Sequence, residues 1–218
     1  MQKDKLVIGG MVILLVGLVG FVLYKQNYDY RKLPYYTFSQ NSEEYLFSEK
    51  PPKHTISDFH FTDQKGEKIS QDNLKDCIYV ADYIFTTCPG ICKIMTADMS
   101  EVYQEYKNEP HFKILSHTSK PEEDSIPVLL KYAQEKGVED TKTWLFLTGD
   151  KKELQQMAYE QYGLVNKDDL QEEGSFVHTE MFVLVDKNKY IRGYYDGTNK
   201  TEVNQMIRDI KELLKEQF

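Results

Sequence analysis

The sequence predicts an α/β domain with a partly parallel sheet, and three observations carry that prediction. Residues 78–85 form a near-continuous apolar run, as expected of a central strand covered on both faces. Residues 92–107 then place Met95, Met99, Val102, Tyr103 and Tyr106 at helical spacing, and a second short apolar run follows at 112–116, the order of a βαβ unit. The C-terminal third closes with two strand-like runs around the polar turn Asp186-Lys187-Asn188-Lys189 and a last amphipathic helix.

Taken in order, the chain begins with a short stretch, residues 1–5, expected to be cytoplasmic. Residues 6–24 carry no charged side chain, and 19 residues at about 1.5 Å each are long enough to cross a bilayer. No small-residue cleavage site follows, and no cysteine stands near the end of the run, so an uncleaved N-terminal transmembrane anchor is expected. Lysines and arginines flank it on both sides, so charge does not fix its orientation. Residues 25–54 are polar, tyrosine-rich and punctuated by Pro34, Pro51 and Pro52; they read as a tether reaching about 30 Å as a coil.

The domain proper is expected over 55–218. Residues 55–62 alternate and turn through Asp63-Gln64-Lys65-Gly66 into a short partner around Ile69. A helix over 125–136 with Ser125 as its cap, a strand over 143–147 and a helix capped by Asp150 come next. Strands at 181–185 and 190–194 and a helix over 201–214 complete it. A βαβ unit, a further helix, a closing hairpin and a terminal helix make a thioredoxin-like domain, whose site belongs at the C-terminal mouth of the parallel strands. The formal charge of −8 argues against a nucleic-acid partner.

The chemistry concentrates at Cys88-Pro89-Gly90-Ile91-Cys92, between the first parallel strand and its helix. Thiols beside a helix N-terminus are biased toward thiolate, and Lys93 adds positive charge. Such a pair either cycles through a Cys88–Cys92 disulfide or holds a soft metal ion. Three intervening residues, rather than two, favour metal. Cys77 is the odd cysteine and reads as a small buried hydrophobe; one close pair and one single residue do not make a disulfide scaffold.

His178 ends a glycine- and acid-rich loop just before the strand at 181–185; in this topology that loop packs against the cysteine loop, which makes His178 a candidate third ligand. Redox proteins of this fold carry a proline at that place, whereas no proline follows Pro127 here. Asp82 lies six residues before Cys88 and is a possible auxiliary group: either a buried acid behind the deeper thiol or a strand-edge aspartate. Met95 and Met99 read as core, and His117 as a surface residue at its strand's end.

Phe85-Thr86-Thr87-Cys88-Pro89-Gly90-Ile91-Cys92, with His178-Thr179 about 90 residues on, resembles the Sco (SenC/PrrC) family of membrane-anchored, thioredoxin-fold copper chaperones for the Cu(A) centre of cytochrome c oxidase. The resemblance runs from residue 55 to the C-terminus and implies Cys88, Cys92 and His178 as copper ligands. It departs from the family pattern at Lys93 (for proline), Val177 (for aspartate) and in His117-Thr118-Ser119-Lys120-Pro121, an altered version of the family's S-x-D-P stretch. Two thiolates suit Cu(I), and an added imidazole lets the site hold Cu(II) as well.

The function this implies is a copper carrier rather than a turnover enzyme, with thiol–disulfide exchange as a side activity. It would be anchored in the bacterial cytoplasmic membrane with its domain on the periplasmic side. Its expected partners are a copper donor protein and the Cu(A)-bearing oxidase subunit. Two other readings stand beside it: a reductase for the oxidase subunit's cysteines, and a copper or redox sensor.

Overall fold

The computed structural model describes residues 14–20, 32–39, 44–138, 142–166, 168–170 and 176–218. Contacts divide the chain into two units, 1–32 and 33–218. In the first, residues 14–20 are helical with exposed side chains, and the rest of the expected anchor (6–24) and of the N-terminal stretch lies outside the described residues. No helix among the described residues is long and apolar enough to cross a membrane.

The second unit is built on a seven-stranded sheet. Its strands are β1 (Tyr35–Ser39), β2 (Glu44–Ser48), β5 (Ile78–Ile84), β6 (Phe112–Thr118), β7 (Trp144–Leu147), β8 (Met181–Val185) and β9 (Ile191–Asp196), in the order β2-β1-β9-β8-β5-β6-β7. A two-stranded ribbon, β3 (Phe61–Thr62) with β4 (Lys68–Ile69), stands apart from it. β5, β6 and β7 are parallel, while β8 pairs antiparallel with β5 and with β9. Every residue of β5 is buried, which explains its apolar run, interrupted only by Asp82.

The side-chain alternation of β5 feeds two cores. Ile78, Val80 and Ile84 pack with helices α1 (Ile91–Tyr106), α2 (Ile126–Glu135) and α4 (Lys200–Gln217) on one face. Tyr79, Ala81 and Tyr83 pack on the other with the short helix α3 (Lys151–Gln156), which widens into a π turn over Met157–Gln161. Met95 and Met99 are fully buried in the first core, as expected.

Two expectations are corrected. Residues 25–54 do not read through as a tether: the compact unit begins at Leu33, and β1 and β2 form a hairpin that joins the sheet where Tyr36 pairs with Ile191. Tyr35, Tyr36, Thr37 and Phe38 have strong strand preference, but they are all half-buried, so no apolar–polar alternation marks them. The Arg192 guanidinium, with no exposed surface, secures this start. It donates to the carbonyls of Leu33 and Pro34 and pairs with Asp186 at 2.9 Å and Glu216 at 3.0 Å, tying the entry segment to the hairpin and to α4.

The second correction concerns His117. β6 runs two residues past the expected end, so His117 is fully buried and not on the surface. Its ring stacks on Tyr83 at 5.1 Å between centroids and meets Phe61 edge-on at 5.3 Å, with Nε2 3.3 Å from the Tyr162 hydroxyl and Nδ1 without a partner. Burial pushes the imidazole down to about 3, so it stays neutral. The unfolded chain takes up this proton below its ordinary pKa of about 6.5 and the native chain does not, so His117 subtracts stability as pH falls from there toward 3. His117→Phe, nearly isosteric, should therefore gain stability over the parent by about 1 kcal/mol per pH unit between pH 6 and 4. Urea unfolding at several pH values checks this; a difference independent of pH would contradict it.

Candidate metal centre

β5 ends at Ile84, and residues 85–90 carry the chain to α1. The turn is closed by the Cys88 N–H donating to the Phe85 carbonyl (3.2 Å) and the Lys93 N–H to the Gly90 carbonyl (3.0 Å). Gly90, at the helix cap, has no side chain to accept the unpaired N–H groups of the first turn. The Cys88 sulfur takes that role, accepting from the N–H groups of Gly90 and Cys92.

The two thiols are unequal. Burial pushes Cys88 up, but hydrogen bonds from the Cys92 thiol and the two N–H groups, with the Lys93 ammonium nearby, outweigh it and leave Cys88 below the ordinary thiol value. Cys92 lies deeper against the sheet. Burial, its hydrogen bond to Cys88 and the negative charge of Cys88 and Asp82 push it up to about 12. Both cysteines are free and almost covered, 7% and 6% exposed, so the pair is a pre-assembled dithiol near the surface.

Asp82 is buried in the central strand rather than at an edge. Its Oδ1 accepts from the Ser116 hydroxyl at 2.6 Å, and Ser116 in turn accepts from the Trp144 indole at 2.9 Å. Oδ2 has no partner. Burial, only partly offset by Ser116, pushes the carboxyl up to about 7, well above the ordinary carboxylate range.

His178 is exposed, and its neighbours Val177 and Thr179 are buried, so the chain presents the imidazole outward. The segment nevertheless reaches the cysteine loop: the Phe176 ring meets Phe85 edge-on at 5.3 Å and lies 6.2 Å from the His178 ring. Among the described residues no group of three or more His, Cys, Asp or Glu is close enough to hold a metal ion. The structure thus brings Cys88 and Cys92 together and leaves His178 at the rim, not in a preformed three-donor cluster. Cys77 is buried with its thiol 3.7 Å from the Pro110 carbonyl, away from the pair.

Sequence reasoning did not reach the brace that holds this loop. Asp124, fully buried, accepts from the Thr86 N–H (3.3 Å), the Thr86 hydroxyl (2.5 Å) and the Thr118 hydroxyl (2.5 Å). Glu123 accepts from Thr87 at 3.3 Å, and the Ser119 N–H donates to the Ile84 carbonyl at 2.7 Å. The pairing joins the loop after β6 to the loop after β5, which adjacent parallel strands bring side by side. An acid among Glu122, Glu123 and Asp124 looks like a solvated charge run, and the partner in the cysteine loop, Thr86, is 38 residues upstream.

A parallel-strand mouth carrying a dithiol at a helix N-terminus defines a thioredoxin-like domain built to bind or exchange at sulfur. The family model described as SCO1/SenC matches residues 47–215, and the chain belongs to that family. The SCO1 protein homolog of Bacillus subtilis is 30% identical over 163 residues, covering 74% of this chain and 83% of that protein. The structure of BsSco, described as a Sco-family cytochrome c oxidase assembly protein with a disulfide switch, superposes with a TM-score of 0.62 at 30% identity, covering 75% of this chain and 95% of that one. The copper-bound ScoI of Bradyrhizobium japonicum has a TM-score of 0.57 and covers 73% of this chain and 99% of its own; at 20% identity it shows the shared fold.

The inequality of the thiols sets an order of reaction. With limiting iodoacetamide at pH 7 and the dithiol reduced, Cys88 should be modified before Cys92 and Cys77, as read by peptide mass. Modification of Cys92 first would contradict the assignment.

Proposed function

We propose that the chain is a membrane-anchored copper chaperone that carries one copper ion on Cys88, Cys92 and His178 and passes it to the Cu(A) site of cytochrome c oxidase. The observation that carries this reading is the pre-assembled dithiol: two free, nearly covered cysteines brought together at the N-terminus of α1, at the mouth of a Sco-family domain. Copper is the cargo. Two thiolates hold Cu(I) at low coordination number, and His178, moving in from the rim, adds the imidazole that Cu(II) favours. Loading displaces the proton that Cys92 retains, so uptake is coupled to proton release. Near-surface sulfurs and a third donor at the rim suit ligand exchange with an acceptor better than a closed four-ligand site does.

The partners are a copper donor protein and the Cu(A)-bearing oxidase subunit. Residues 6–24 form the anchor, and the domain works on the periplasmic side of the bacterial cytoplasmic membrane. These assignments rest on family membership and on the uncharged N-terminal run.

A second reading, thiol–disulfide exchange on the oxidase subunit's cysteines, is favoured by one observation: an activated Cys88 over a protonated Cys92, with the Asp82 carboxyl pushed up to about 7. In that step the Cys88 thiolate attacks a disulfide sulfur of the acceptor, releasing the acceptor's other sulfur as a thiolate and forming a mixed disulfide; Cys92, losing its proton, then attacks the Cys88 sulfur, breaks the mixed disulfide, releases the acceptor's second thiolate and closes the Cys88–Cys92 bridge.

The reduced full-length chain in detergent should bind one copper, and Cys88→Ser/Cys92→Ser should abolish it. His178→Ala should weaken Cu(II) by at least about tenfold while leaving Cu(I) nearly unchanged, measured by competition with chelators for each oxidation state. Equal loss of both, or of neither, would remove the histidine from the site.

A further inference from the structure

Lys120 stands where the family pattern has an acid, and its surroundings are unusual for a lysine near a cation site. Its ammonium lies 4.9 Å from the centroid of the Phe85 ring and 4.9 Å from that of Phe176. The two rings themselves meet at 5.3 Å. Phe85 is the first residue of the cysteine loop, and Phe176 is two residues before His178.

The lysine itself is well anchored. Its N–H donates to the Thr118 hydroxyl at 3.0 Å, its ammonium pairs with Glu123 at 3.2 Å, and its side chain is only 26% exposed. Glu123 also accepts from Thr87, next to Cys88. The cation therefore sits at a junction of three segments: the loop after β5, the loop after β6 and the approach to β8.

We propose that Lys120 is a positioning residue for His178: by clasping Phe85 and Phe176 together it holds the histidine-bearing segment against the cysteine loop, within reach of a metal on the two sulfurs. This rests on the reading of His178 as a copper ligand and names what delivers it. A cation between two aromatic faces is favourable by electrostatics that do not need a preformed ligand cluster. The exposed His178 and the absence of a three-donor group among the described residues fit a segment that is tethered but not yet closed. Without the clasp, binding of the imidazole would also have to bear the cost of ordering the segment.

The clasp has a distinct signature, because only the oxidation state that uses the imidazole should feel it. In the full-length chain, Lys120→Met keeps the aliphatic stem and removes the charge; it should weaken Cu(II) about threefold to tenfold and leave Cu(I) unchanged. Lys120→Arg, which retains the cation over both rings, should restore parental Cu(II) affinity. Phe176→Leu should reproduce the loss from the other side of the contact. In the His178→Ala background, Lys120→Met should have no further effect on Cu(II), since the group it positions is gone.

The outcomes separate the proposal from the reading beneath it. If His178→Ala weakens Cu(II) but Lys120→Met does not, the clasp is wrong and the ligand assignment stands. If His178→Ala leaves Cu(II) unchanged, the ligand assignment fails and the clasp fails with it. Tighter binding of both oxidation states in Lys120→Met would show that the lysine acts only as a like charge near the metal, and would overturn the proposal. An undiminished effect of Lys120→Met in the His178→Ala background would overturn it too.

Discussion

The Cys88 sulfur takes the unpaired N–H groups at the start of α1 while Cys92 is buried beside it, and the chemistry of the mouth depends on that arrangement. Gly90 leaves the helix cap without a side-chain acceptor, so the Cys88 sulfur becomes the acceptor and is stabilised as thiolate. Cys92, one turn deeper and nearer Asp82, keeps its proton. A single local constraint thus yields one activated and one protonated thiol, side by side and both reduced. The same pair is competent to bind a soft metal or to exchange with a disulfide, and the two uses exclude each other because an oxidised pair has no thiolate to offer.

The scaffold keeps that pair in place from beneath and from the side. From beneath, the fully buried β5 carries Asp82 on the same face as the helix core, linked through Ser116 to Trp144. From the side, Asp124 fixes Thr86 and Thr118, so the loop after β6 braces the cysteine loop. These are buried, hydrogen-bonded polar groups of the kind that specify one arrangement, and losing a partner leaves the other unsatisfied at a cost of about 1–3 kcal/mol. Distant from the mouth, Arg192 performs a comparable task for the entry segment, where a fully covered guanidinium has two carboxylates and two carbonyls. Removing one side of such a pair leaves a buried charge unmatched.

The sheet core and the cysteine pair were legible in the sequence because both are local: β5 announces itself by a near-continuous apolar run, α1 by periodicity, the thiols by spacing. What stayed hidden depends on contacts between distant segments. The β1–β2 hairpin was hidden because half-buried tyrosines at a sheet edge give no alternation. His117 was misplaced because β6 continues for two residues past its expected end at Ser116, which puts the ring in a pocket made by Phe61, Tyr83 and Tyr162. Lys120 and Asp124 could be seen as departures or charges, but their partners, Phe85, Phe176 and Thr86, come together only through topology. The segment that carries His178 reaches the cysteine loop through Phe176 and Phe85, while the outward orientation of His178 follows from the burial of Val177 and Thr179, which the sequence alone did not order.

The central claim is a coordination set, and X-ray absorption at the copper edge reads it without reference to affinity or partner. On the full-length chain loaded with one copper, the account predicts two sulfur scatterers in both oxidation states. The Cu(II) form should add the multiple-scattering pattern of one imidazole, and that pattern should vanish in His178→Ala. A Cu(II) site with the same scatterers in the parent and in His178→Ala, or a site with nitrogen and oxygen but no sulfur, would contradict it.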